Sequence, residues 1–175
     1  MTFSEMVANR RSVRKFLDRK VEQEKIEQIL RDTLTAPSSK NCRSTRIAVT
    51  QDATILDHIS RMRSYGSAFV REAPLAFILM ADASNTDLWR ENCAISATML
   101  QLSAEALGLG SCWVHVDGRP HREEEPNGLN AEEYLHEVIP ATAPYRILCV
   151  VAVGYPETTP KPHSPKDDSD KVIWL

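Results

Sequence analysis

PLAFILMAD, Pro74–Asp82, is an unbroken apolar run held between a proline and an aspartate. A strand with one wet face alternates, so continuous apolarity predicts a central strand covered on both sides. The covering elements are legible around it. Downstream, TDLWRENCAISATMLQLSAEAL, Thr86–Leu107, sets Cys93, Ala94, Ala97, Leu100, Ala104 and Leu107 on one helical stripe, with Gly108 as its stop. Upstream, VEQEKIEQILRDTLTAP repeats Ile26, Ile29, Leu30 and Leu34 at helical spacing and ends at Pro37. Residues 53–64 predict another helix, facing inward through Ile55, Leu56 and Ile59. RIAVTQD, SCWVHV and YRILCVVAVGYP predict three more strands, and NAEEYLHEVI a helix capped by Asn130. Thr2 and Glu5 form a capping box for a short first helix that fades at Asn9. The alternation predicts an α/β or α+β domain around one sheet.

Composition narrows the function. At 175 residues, 42% hydrophobic and 26% charged, the chain suits one globular domain, 1–175, with a core large enough to need no staple. A net charge of −3 argues against nucleic acid, which calls for a broad positive field. The apolar runs fall far short of the roughly 20 residues that span a bilayer. Cys42, Cys93, Cys112 and Cys149 show neither CxxC nor zinc-ligand spacing, so no metal is expected. Cys93 and Cys149 sit in apolar runs and read as buried small hydrophobes. Free thiols and an N-terminus without an apolar signal segment point to a cytoplasmic protein.

The chemistry-bearing stretch is ANRRSVRKF, Ala8–Phe16, where Arg10, Arg11 and Arg14 surround Ser12 and no carboxylate follows until Asp18. Guanidinium forks and a hydroxyl suit a phosphate on a small molecule. Read by itself, the same cluster is a solvated basic edge. Three further motifs follow in order: APSSKN at Ala36–Asn41, ALGLGSCWV at Ala106–Val114, and VAVGYP at Val151–Pro156. GLGSCWV is not a dinucleotide fingerprint, because it follows a helix and precedes a strand, with Trp113 in place of the third glycine.

Together these motifs resemble the nitroreductase family, in its short FMN-binding form, over nearly the whole chain. The resemblance implies an α+β, three-layer α/β/α fold, with a mostly antiparallel central sheet flanked by helices. It implies a homodimer with an exchanged C-terminal segment and FMN at the subunit interface. By that likeness Arg10 and Ser12 meet the phosphate and ribityl chain, and Arg11 contributes mainly backbone contacts. Arg14 lies at the flavin N1–C2=O edge, where reduction gathers negative charge. Pro37, Ser38 and Ser39 pack on the flavin from the partner, and Asn41 bonds its polar edge. Ser111, Cys112 and Trp113 lie near N5, and Lys161 and His163 serve the phosphate, the histidine standing where an arginine is commoner.

NCRSTRI, Asn41–Ile47, departs from the family's xQPWxF pattern, which leaves Arg43 and Arg46 as either substrate-recognising or surface arginines. DGRPHREEEPNGLN, Asp117–Asn130, reads as a lid, a substrate-facing rim or a solvated face. The implied activity is an FMN-dependent oxidoreductase. It takes hydride from NADH or NADPH and gives it to a small organic acceptor, of nitroaromatic or quinone type, in ping-pong order. No protein catalytic residue is required. The competing readings are a non-reductase FMN-binding or sensing module and, more remotely, a flavin-consuming or dehalogenating relative. From Glu157 the chain is rich in Pro, Lys and Asp, then ends in the apolar KVIWL, which predicts docking on a second subunit.

Overall fold

The apolar run becomes an inner strand of an antiparallel sheet. The computed structural model describes residues 2–164 and 166–175. Its sheet holds β1 (Thr45–Thr50), β2 (Leu75–Ala81), β3 (Gly110–His115) and β4 (Arg146–Gly154) in the order β1-β2-β4-β3, every neighbouring pair antiparallel. All of β2 is buried, as continuous apolarity requires of a strand covered on both faces.

The coverings are helical. α2 (Gln23–Leu34) and α4 (Trp89–Ala106) pack one face against Leu75, Phe77, Leu79, Val151 and Val153. On the other face α3 (Ala53–Ser60) and α5 (Ala131–Val138) close over Ala76, Ile78, Met80, Val150 and Ala152. The strand period of two divides β2 between these cores. A short α1 (Phe3–Asn9) begins with the Thr2–Glu5 capping box, and Asn130 with Glu133 caps α5 in the same way.

Three sequence expectations shift. Residues 53–64 stop being helical at Ser60, and α4 starts at Trp89 rather than Thr86, whose hydroxyl instead accepts from the Leu88 amide. Leu34 does not face inward but stays 49% exposed, while Thr33 is buried. Thr33 can be buried because its hydroxyl donates to the Ile29 carbonyl, leaving only its methyl to pack. Among the described residues no helix is long and apolar enough to cross a membrane.

One irregularity positions the site. The β2–β4 register shifts between Leu79 and Met80, so Leu148 is an extra residue on β4. Its carbonyl accepts from both Val116 and Asp117, which turns the chain out of β3 into the charged Asp117–Asn130 segment.

Candidate functional site

The basic segment is laid along the open edge of β3. Ser12 bridges Ser111 in parallel, and the Val13 amide donates to the Ser111 carbonyl at 2.9 Å. Strand alternation then buries Val13 and leaves Ser12 and Arg14 exposed on either side of it. Burial pushes the Cys112 thiol up, while the charges of Arg14 and Arg10 and the Ser12 hydroxyl draw it part-way back. These residues therefore share one neighbourhood. Arg14 also lies 6.0 Å from the centroid of the Phe69 ring. Among the described residues no carboxylate stands within ion-pair distance of Arg10, Arg11 or Arg14.

The free side of β3 offers main-chain groups as well. Ser111 turns its carbonyl to Val13, and His115 turns its own toward Arg63, whose Nη1 lies 3.3 Å away. By the alternation of an antiparallel edge, Trp113 midway between them presents its N–H and C=O on the same side. Its indole packs instead against the α2–α4 core and stacks on the His115 ring, centroids 6.1 Å apart.

The chain's later residues complete the cluster. Phe16 bridges Pro156, the Leu17 amide donates to Tyr155, the Glu157 amide to Lys15, and the His163 amide to Ala8. Arg11 spends its guanidinium on the Lys161 carbonyl at 2.9 Å, which clasps the late segment to the first arginines. Lys161 and His163 are thus brought beside Arg10 and Arg11, with both side chains exposed. Glu105, which sequence patterning hid as one more polar helix residue, joins the same region. Burial pushes its carboxyl up and the Arg10 charge lowers it again.

Gly110 fixes how closely this segment approaches. A Cβ there would lie 2.7 Å from Val13 Cγ2 and 2.8 Å from its Cβ, so only glycine lets the two backbones pair. Gly110→Ala is expected to cost about 1–3 kcal/mol of stability by overpacking. The thermal midpoint should fall by roughly 2–10 °C; an unchanged melt would show that Val13 yields freely.

Pro37, Ser38, Ser39 and Asn41 form a second, separate group. No hydrogen bond among the described residues joins this loop to the basic cluster. The loop turns through left-handed backbone at Lys40, Asn41 and Arg43, with φ of 49, 53 and 48°. Asparagine tolerates that region, whereas lysine and arginine need external support. Asn92 of α4, only 2% exposed, supplies it. Its Oδ1 accepts from the Ser39 amide at 2.9 Å and its Nδ2 donates to Ser44 Oγ at 3.2 Å. Arg43 and Arg46 line a small cavity with Ser38 and Ser96, and Arg46 Nη1 donates to the Arg43 and Thr45 carbonyls.

The Asp117–Asn130 segment is anchored at several points. Pro120 bridges Asn130, the His121 amide donates to Leu129, and Ser64 bonds both His121 and Glu123. His121 stacks on Tyr134 with centroids 4.4 Å apart.

The sequence model of the Nitroreductase family matches residues 7–64 and 57–155. The chain belongs to the nitroreductase family. A relative in Methanothermobacter thermautotrophicus, named "Putative NADH dehydrogenase/NAD(P)H nitroreductase", is 32% identical over 164 residues, covering 91% of this chain and 80% of the relative. The solved structure of an FMN-dependent nitroreductase from Clostridium difficile R20291 superposes with a TM-score of 0.90 at 36% identity, covering 97% of this chain and 96% of that one. A nitroreductase-fold structure from Desulfovibrio desulfuricans, described as in complex with FMN, superposes at 0.77 with 20% identity, covering 98% and 95%. The antiparallel sheet with helices on both faces is thus the nitroreductase α+β fold.

Proposed function

We propose that this chain, as one FMN-binding unit, is an FMN-dependent oxidoreductase. It would take hydride from NADH or NADPH and pass it to a small organic acceptor of nitroaromatic or quinone type, the two alternating in one pocket. The observation that supports this most is the Ser12–Ser111 pairing, which sets Arg10, Ser12 and Arg14 along the open edge of β3. Guanidiniums without carboxylate partners beside an exposed hydroxyl fit a phosphate monoester. Names of similar proteins support the same reading.

Arg10 and Ser12 would hold the phosphate and ribityl chain, aided by Lys161 and His163. Arg14 would place positive charge at the flavin's pyrimidine edge. Trp113, through its main-chain N–H, would be the donor for N5, and Ser111 and Cys112 would form the wall beside it. When bound, FMN supplies the two-electron hydride chemistry, so no protein nucleophile is needed.

Pro37, Ser38, Ser39 and Asn41, apart from the cluster on their own chain, would complete the pocket of a partner copy. Phe3, Val7, Leu34 and Ile95 form exposed apolar surface on α1, α2 and α4 for such a homodimer. Val172, Ile173, Trp174 and Leu175 are exposed too, as an exchanged C-terminal segment would be before it docks. The four free thiols suit the cytoplasm.

Purified protein should be yellow, and anaerobic NADH or NADPH should bleach it. Protein that stays colourless and takes up no added FMN would overturn the reading. Bound flavin that stays oxidised would favour storage or sensing instead. Glu105 gives a graded check. Its ionised carboxylate lies near enough to Arg10 to oppose a phosphate there without pairing with it, so Glu105→Gln should tighten FMN binding by about threefold, the scale of a screened charge interaction. Because burial raises the Glu105 pKa, that gain should be absent at acid pH and grow as pH rises through the raised value. Flavin-fluorescence titrations across this range measure it.

A further inference from the structure

A second cationic hollow lies at the far end of β3. Arg61, Arg63, Arg71 and Arg122 line a surface cavity of about 350 Å³ together with His121 and Glu124. Arg61 is held by Asp57 at 2.6 Å and Arg122 by Glu125 at 3.5 Å. Among the described residues Arg63, Arg71 and the neighbouring Arg119 have no carboxylate within 4.0 Å. Burial, then the Arg119 charge, disfavours the protonated Arg63 side chain, and Glu123 offsets this in part. His115, on the same strand end, is likewise pushed toward its neutral form by burial and by Arg119. Like charges crowded around a half-buried guanidinium are the arrangement an incoming anion relieves.

The hollow adjoins the site already described. Ala68 is in its wall, and the next residue, Phe69, is the ring beside Arg14. Arg63 reaches the His115 carbonyl, two residues beyond Trp113. The five steps from Gly110 to His115 make about 17 Å of strand, so one cationic group stands at each end of β3 with the Arg14–Trp113 region between them.

We propose that this hollow takes the 2′-phosphate of NADPH while the nicotinamide lies over the flavin, making NADPH the preferred hydride donor. The assignment rests on the flavoenzyme reading above, and it names the donor that reading leaves open. A phosphate monoester presents a dianion to guanidiniums that have no carboxylate partner, whereas NADH offers a hydroxyl at that position.

Steady-state rates on the FMN-loaded protein test it. Wild type should show kcat/KM for NADPH at least about tenfold above NADH, the scale of one charge-assisted contact. Arg71→Ala, at an exposed position, should erase most of that ratio with FMN content and NADH rates unchanged. Arg63→Gln should lower the same ratio. Equal use of both donors, or variants that lower both alike, would overturn the assignment. Calorimetric titration with adenosine 2′-monophosphate requires no flavin and so separates failure here from failure of the flavoenzyme reading. Binding lost in Arg71→Ala supports the hollow. No binding, or inorganic phosphate binding as tightly, overturns it.

Discussion

Alanine at both Arg10 and Arg14 is expected to weaken FMN binding by about a hundredfold or more, since each charge-assisted hydrogen bond contributes about 1.5–3 kcal/mol. Neither arginine is buried or ion-paired among the described residues, so the folded state should tolerate their loss. Thermal stability of the apoprotein should therefore be nearly unchanged while flavin-fluorescence titration shows the loss. Arg11→Ala should behave differently. Its guanidinium serves the Lys161 carbonyl, so its removal loosens residues 161–163 and weakens FMN binding only indirectly. Equal FMN affinity in wild type and the double variant would place the phosphate elsewhere.

The second large effect is expected from Asn92→Leu. Leucine is close to asparagine in length but leaves the Ser39 amide and the Ser44 hydroxyl without their partner, and Ser44 is 1% exposed. Stranded buried polar groups cost about 1–3 kcal/mol each. The thermal midpoint should fall by roughly 5–15 °C. FMN affinity should fall with it, because the left-handed turn at Lys40, Asn41 and Arg43 loses its anchor and Pro37, Ser38 and Ser39 lose their position. Asn92→Asp keeps the acceptor for the Ser39 amide and should recover part of both. A Leu variant that melts like wild type would mean that the turn supports itself.

Asn92 also marks the limit of reading the chain in one dimension. Within WRENCAISATML it looks like one more polar helix residue, and nothing local announces a partner 53 positions away. The elements themselves were legible because their signals are local. Unbroken apolarity defined β2, small residues at helical spacing defined α4, a capping box started α1 and an asparagine cap started α5. Leu34 misled for the opposite reason: apolar spacing pointed it inward, while a hydroxyl satisfied within the helix let Thr33 take the buried place. The basic cluster and the PSSKN loop were visible as motifs. Their separation on one chain, and the recruitment of Glu105, Phe69, Arg63 and His115, arise from tertiary pairing across β3.

The clasp between Ala8–Leu17 and residues 155–163 joins partners roughly 140–155 positions apart. During translation the first arginines leave the ribosome long before Tyr155, Glu157, Lys161 and His163 exist to hold them. Contacts at such separations form late, since their closing entropy is met only after nearer pairings are in place. On the proposed flavin reading, a nascent chain would carry its guanidiniums on a loose segment, and flavin loading would follow release of the C-terminal stretch. A stalled or truncated product ending before residue 155 would emerge colourless, however complete its helices.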